Sequence, residues 1–172
     1  ILLVYGASGT GKTSLIQCGL ASRFKSYDWL ALNIRRGSNL NDSLEKALKE
    51  HGDSELSDNA SSDNNPGTKA TSLQQLIKSV YLNNFKPIYL IFDQFEELYI
   101  LGNKDEQKKF IDSIKEILHA GQPVKVIISI REEYLGHLFE FEKEVPQLLH
   151  KKLRVEPMGL DKVKTVIKNI AQ

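Results

Sequence analysis

Eight residues near the start of the chain constrain its fold more than any other stretch. They are Gly6-Ala7-Ser8-Gly9-Thr10-Gly11-Lys12-Thr13, and the apolar run Ile1-Leu2-Leu3-Val4-Tyr5 leads directly into them. An apolar run too short for a helix, then Gly-x-x-x-x-Gly-Lys-Thr, then a helical pattern, is a phosphate-binding loop in the strand–loop–helix setting it requires. Gly6 and Gly11 let the backbone turn tightly and bring N–H groups against phosphate oxygens, which a Cβ would obstruct. Lys12 supplies a cation for the β- and γ-phosphates, and Thr13 offers a hydroxyl to Mg²⁺. The helix that begins here directs its partially positive end at the same anion. The stretch points to binding of a nucleoside triphosphate.

With 172 residues, the chain has room for one domain with a real core and is too short for two. A formal net charge of +1 argues against a dominant nucleic-acid-binding surface. No apolar run approaches the ~20 residues of a membrane span, and no signal peptide precedes the first strand. The single cysteine, Cys18, excludes an internal disulfide and suits a reducing cytoplasm. Its place on the loop's helix suggests a small buried hydrophobe. His51, His119, His137 and His150 are scattered, with no partner at zinc-ligand spacing. The chain begins inside a strand without Met and stops in a helical pattern, so it reads as a piece of a longer protein.

Beyond the loop, Leu15, Ile16, Leu20 and Phe24 recur at helical spacing, predicting a helix to about Arg23. Residues 28–34 read as a second strand, and Leu40, Leu44, Ala47 and Leu48 as an amphipathic helix from near Asn41. Residues 51–69 turn to Ser, Asn, Asp and Gly, the composition of a flexible surface insertion. A helix restarts at Ser72, where Ser72-x-x-Gln75 has capping-box form. Residues 87–93 are apolar on both faces, as in a central parallel strand covered on each side. A helix carrying Phe110, Ile111, Ile114, Ile117 and Leu118 follows, then a fourth strand over 124–130 ending at Arg131. Residues 152–156 make a fifth strand, and Leu160, Val163, Val166 and Ile167 a last helix. Strands alternating with helices imply a three-layer α/β/α fold on a parallel five-stranded sheet, with expected order 5-1-4-3-2.

Asp93 ends the most buried strand, far from the loop in sequence. Enzymes built on such loops need a carboxylate there to hold Mg²⁺, although an aspartate can also cap the following helix. Hydrolysis also needs a group to orient or deprotonate water. The next position holds Gln94, which cannot act as a base. Glu96 and Glu97 follow within reach of the γ-phosphate, or serve only as acids in the first turn of a helix. Arg131 ends a strand expected beside that of Asp93, where its guanidinium could report the γ-phosphate. Its plainer use is an ion pair with Glu132 or Glu133.

The continuation Ser14-Leu15-Ile16-Gln17-Cys18-Gly19-Leu20, the block Asp93-Gln94-Phe95-Glu96-Glu97-Leu98 and the segment Ile130-Arg131-Glu132-Glu133-Tyr134 together resemble the nucleotide-binding domain of the STAND NTPases, most closely the bacterial novel STAND group. The Asp93 block is also similar to that of animal nucleotide-binding immune receptors. The resemblance implies ATP or ADP held by Gly6, Ala7, Ser8, Gly9, Thr10, Gly11, Lys12, Thr13 and Ser14, with Mg²⁺ on Thr13 and Asp93. It implies catalytic roles for Lys12, Glu96, Glu97 and Arg131, the last as sensor. It further implies a slow, ATP-driven regulatory switch in signalling or defence that exchanges ADP for ATP and assembles into homo-oligomers. The lid, winged-helix, sensor and effector parts would lie outside this chain.

Two other readings differ in class. A GTPase needs Asn-Lys-x-Asp after a strand, whereas Asn103-Lys104-Asp105-Glu106 ends in glutamate and follows a helix. An AAA+-like catalytic ATPase would show glutamate directly after Asp93. A domain acting on nucleic acid could use Lys151, Lys152, Arg154, Lys162, Lys164 and Lys168, but no aromatic residues are interleaved to stack on bases.

Overall fold

Helical crossovers separate successive strands, the kind of connection that parallel pairing requires. The computed structural model describes residues 1–20, 22–25, 27–52, 72–157 and 159. Five strands, β1 (Leu2–Gly6), β2 (Leu30–Ile34), β3 (Ile88–Phe92), β4 (Val124–Arg131) and β5 (Lys152–Arg154), form one sheet. Its order is β2-β3-β4-β1-β5, the expected 5-1-4-3-2 read from the other edge, and every neighbouring pair is parallel.

Side chains alternate across the sheet and both faces are buried. Leu3, Leu90, Phe92, Val126, Ile128 and Ile130 face one core, under α2 (Leu40–His51), α3 (Leu73–Asn84) and α5 (Lys104–Leu118). Val4, Ile91 and Ile127 face the other, where they meet Ile16 and Trp29. Trp29 is wedged between Phe24 and Tyr89, with ring centroids 5.3 and 5.1 Å away. This two-sided burial explains why β3 and β4 read as unbroken apolar runs.

The remaining α-helices among the described residues are α1 (Lys12–Ser14), α4 (Glu97–Ile100) and α6 (Leu138–Glu144). The caps follow the sequence. Asn39 accepts from the Asn41 and Asp42 amides to start α2, and Ser72 and Gln75 form the reciprocal capping box of α3. Asn103 accepts from the Glu106 amide at 2.8 Å to start α5, so the GTPase-like tetrapeptide is a helix cap.

The segment after the loop departs from expectation. α1 passes into a π-helical turn, Leu15–Leu20, which ends before the expected Arg23. Gly19, a poor helix former, lies inside it. Only Ile16 is buried there, and Cys18 is exposed rather than buried, because it lies two residues round the helix from Ile16. The proposed insertion at 51–69 falls, from residue 53 on, outside the described residues, as does the last helix carrying Leu160 to Ile167.

Phe110 is fully buried and packs on Phe92, Phe95 and Phe141, with centroids 5.0, 5.2 and 5.9 Å away. Phe110→Ala is expected to cost about 3–5 kcal/mol in urea unfolding. Phe139→Ala, at a 59% exposed position, is expected to cost under about 1 kcal/mol.

Candidate functional site

The expected residues gather at the C-terminal ends of β1, β3 and β4, where open parallel sheets leave a crevice. Gly11 turns the loop into α1 with φ +86°, and Gly9 has φ +76°, both values that favour glycine. At Gly6 the structure adds a second requirement for glycine. A Cβ there would lie 2.2 Å from the Val155 carbonyl oxygen, because the chain leaving β5 runs against it and the Val155 amide donates to Tyr5. Thr10 closes the loop by donating to the Ala7 carbonyl at 3.0 Å. Lys12 Nζ donates to the carbonyls of Gly6 at 2.9 Å and Ala7 at 2.8 Å, so its charge lies over the loop.

Thr13 and Asp93, 80 residues apart, are in direct contact. The Thr13 hydroxyl lies 3.0 and 3.1 Å from the two Asp93 carboxylate oxygens. Asp93 follows β3, and its amide donates to the Ile34 carbonyl at the end of β2. The first residue past that strand, Arg35, reaches Asp93 Oδ2 through Nη2 at 2.8 Å.

Gln94 adopts φ +58°, a left-handed value uncommon for a residue with a Cβ. The bend lets the Phe95 amide donate to the Ser129 carbonyl on β4 and sends the Phe95 ring into the core. The next residue, Glu96, then returns to the crevice, where it is buried. Its Oε1 accepts from Arg131 Nε at 2.9 Å, and its Oε2 from the Arg131 amide at 3.3 Å. Arg131 therefore pairs with Glu96, not with Glu132 or Glu133; Glu132 pairs with Arg154.

A cleft of about 250 Å³ is lined by Ser8, Gly9, Gly11, Lys12, Thr13 and Asp93, together with Gln94, Glu96, Ser129 and Arg131. Glu97 begins α4 and does not line it, so the structure separates the two candidate acids. A hydroxyl and a carboxylate converging without nitrogen or sulfur form a hard-oxygen donor pair that fits Mg²⁺. The glycine-lined loop and Lys12 fit a polyphosphate. Among the described residues no cluster of three or more His, Cys, Asp or Glu could hold a metal, and no helix is long and apolar enough to cross a membrane.

A larger groove of about 450 Å³ lies elsewhere, lined by Tyr99, Phe110, His137 and Phe141 among others, and holds none of the expected site residues. Burial, reinforced by Glu140, pushes the Tyr99 phenol well above its ordinary range.

Arg35 escaped the sequence reading. Its one signal is position, a cation directly after an apolar strand. The neighbouring Arg36 forks onto Glu106 at 3.0 and 2.7 Å, and Glu106 also accepts from the Leu40 amide. That buried network ties the start of α2 to α5.

The family model described as Novel STAND NTPase 1 matches residues 1–172. Among solved structures the chain is similar to the Walker-type ATPase of Pyrococcus abyssi, with 16% identity and a TM-score of 0.55, covering 98% of this chain and 52% of that one. It is similar to Cdc6p of Pyrobaculum aerophilum, with 14% identity and a TM-score of 0.56, covering 97% and 41%. It is also similar to the ORC2 protein of Aeropyrum pernix in its ADP form, with 12% identity and a TM-score of 0.61, covering 98% and 45%. At these identities the likeness is one of fold, and the chain spans about half the length of these structures. A comparison with curated proteins finds no match.

A double-mutant cycle with Glu96→Gln and Arg131→Gln is expected to give a coupling of about 0.5–3 kcal/mol in urea unfolding. The same cycle with Glu97→Gln in place of Glu96→Gln is expected to give a coupling near zero.

Proposed function

The chain belongs to the novel STAND NTPase family, and from that premise we propose that it is the ATP-binding switch domain of a signalling or defence protein. It hydrolyses ATP slowly with Mg²⁺ and couples ADP/ATP exchange to assembly of the parent protein into homo-oligomers. The observation that carries this reading is the contact of Thr13 with Asp93 in a cleft that Lys12, Glu96 and Arg131 also line.

Thr13 and Asp93 would hold Mg²⁺, which when bound supplies positive charge to the β- and γ-phosphates. Lys12, now on the carbonyls of Gly6 and Ala7, would transfer its hydrogen bonds to phosphate oxygens. Backbone amides of residues 6–14 would cradle the phosphates.

Arg131 would sense the γ-phosphate. It already lies at the cleft, held by Glu96, and is 42% exposed, so it can exchange one anionic partner for another. That exchange gives a γ-phosphate two arrangements to choose between, which a switch requires. Glu96 would then be free to accept a proton from, or orient, the attacking water. With Gln94 in the slot next to Asp93, and Glu96 bound to an arginine, slow turnover is the expected result. An exposed thiol at Cys18 is in keeping with work in the cytoplasm. Lys151, Lys152 and Arg154 are exposed, but Arg154 pairs with Glu132 and Glu156, which weakens the case for a nucleic-acid surface.

The test is nucleotide content and Mg²⁺-dependent hydrolysis in the full-length parent, with ATP against GTP. Co-purified ADP and turnover below about 0.1 s⁻¹ are expected, against the ~10 s⁻¹ of a median enzyme. Both should be lost in Lys12→Ala. Glu96→Gln is expected to slow the residual hydrolysis by about 10²-fold or more while nucleotide binding persists, and Glu97→Gln to change it little. Rapid turnover without an activating partner would sink the switch reading in favour of a catalytic ATPase, and a preference for GTP would contradict the choice of nucleotide.

A further inference from the structure

Asp93 is approached by donors from both sides. The hydroxyl of Thr13 reaches it from the loop after β1, and Arg35 reaches it from the end of β2. The approach of Arg35 is set by the sheet. Ile34 is in register with Phe92, and the Asp93 amide donates to the Ile34 carbonyl at 3.1 Å. Arg35 and Asp93 are thus the first residues beyond two paired strand ends. The side chains differ in freedom, with Arg35 54% exposed and Asp93 5% exposed. Arg35 can withdraw into solvent, whereas the carboxylate is held in place.

Oδ2 of Asp93 takes both contacts, Arg35 Nη2 at 2.8 Å and the Thr13 hydroxyl at 3.1 Å. A divalent cation served by Thr13 and Asp93 would therefore meet a guanidinium on the oxygen it needs, and two like charges cannot share it cheaply at that distance. The adjacent Arg36 shows the contrast: forked onto Glu106 and 11% exposed, it is a fixed part of the core.

We propose that Arg35 is a displaceable counter-cation for Asp93, competing with Mg²⁺, so that it sets the Mg²⁺ concentration at which the domain takes up nucleotide. The proposal rests on the reading above that Asp93 serves Mg²⁺. Arg35 acts through Asp93 as a positioning residue. In its presence the carboxylate stays neutralised at low Mg²⁺, and metal and nucleotide enter together by expelling the guanidinium.

The experiment is a Mg²⁺ titration of the full-length parent at a fixed, sub-saturating concentration of a fluorescent ATP analogue, with a second binding measurement in EDTA. Arg35→Gln is expected to lower the half-saturating Mg²⁺ concentration by roughly threefold to tenfold. Nucleotide affinity in EDTA should stay within about threefold of the wild type. Arg35→Lys, which keeps the charge without the planar fork, should fall between the two and shows that the effect is not one of misfolding. An unchanged or higher Mg²⁺ midpoint in Arg35→Gln overturns the proposal. So does a gain in affinity of equal size in EDTA, which would show that the effect of Arg35 does not depend on the metal. If wild-type binding ignores Mg²⁺ or survives Lys12→Ala, the reading of the cleft itself fails, a result distinct from a Mg²⁺-dependent wild type whose midpoint Arg35→Gln leaves unmoved.

Discussion

The register of β3 between its two parallel neighbours is the constraint from which the rest of the site follows. With Phe92 opposite Ile34 on one side and Ile128 on the other, the first residues past the ladder fall at one level. Asp93 then lies beside Arg35, and Glu96 comes back against Arg131 after the bend at Gln94. On the far side of β4, Gly6 pairs in register with Arg131, which brings the glycine-rich loop to the same crevice. Parallel pairing aligns strand ends of like polarity, so loops from distant parts of the chain share one rim. A one-residue slip of β3 would turn Asp93 to the opposite face and carry Leu90 and Phe92 out of the core they pack in and into the other one. The two buried cores on either side of the sheet forbid it.

Charge balance is the second organising fact. Two buried carboxylates, Asp93 and Glu96, line a small cleft, and each is met by an arginine at about hydrogen-bond distance. Burying an unmet carboxylate is costly, which explains why arginines end β2 and β4 at these positions. Both arginines are about half exposed and both carboxylates are buried, so the cations are the movable partners. In the Arg36–Glu106 pair the arginine is far less exposed and Glu106 accepts a further backbone amide, so the pair stays fixed. Three arginine–carboxylate pairs thus divide between anchoring the fold and leaving the cleft able to respond.

Most of the fold was legible because its signals are local. The spacing of apolar runs defined all five strands, the capping box at Ser72 marked a helix start, and the two-sided apolar character of residues 87–93 marked a central strand. The loop motif located the site, and Asp93 and Arg131 followed from strand ends. What escaped depends on contacts between segments far apart in sequence. Arg35 has no motif, and its meaning comes only from the β2–β3 register. The choice between Glu96 and Glu97 turns on the left-handed bend at Gln94, which no local preference of glutamine announces. The loop motif marked Gly6, but the close passage of Val155, which also requires a glycine there, comes from a segment far away in sequence. The exposure of Cys18 follows from the short, π-wound segment that leaves one apolar position, Ile16, against the sheet.

We propose that the loop after β1 and the ends of β3 and β4 form one nucleotide site. Amide hydrogen exchange of the full-length parent with and without ADP and Mg²⁺ tests it most directly. Slower exchange is expected in peptides covering residues 6–14, 93–97 and 131, with little change along α2 and α3. Unchanged exchange at those positions, or protection confined to the groove of Tyr99, His137 and Phe141, would contradict the account.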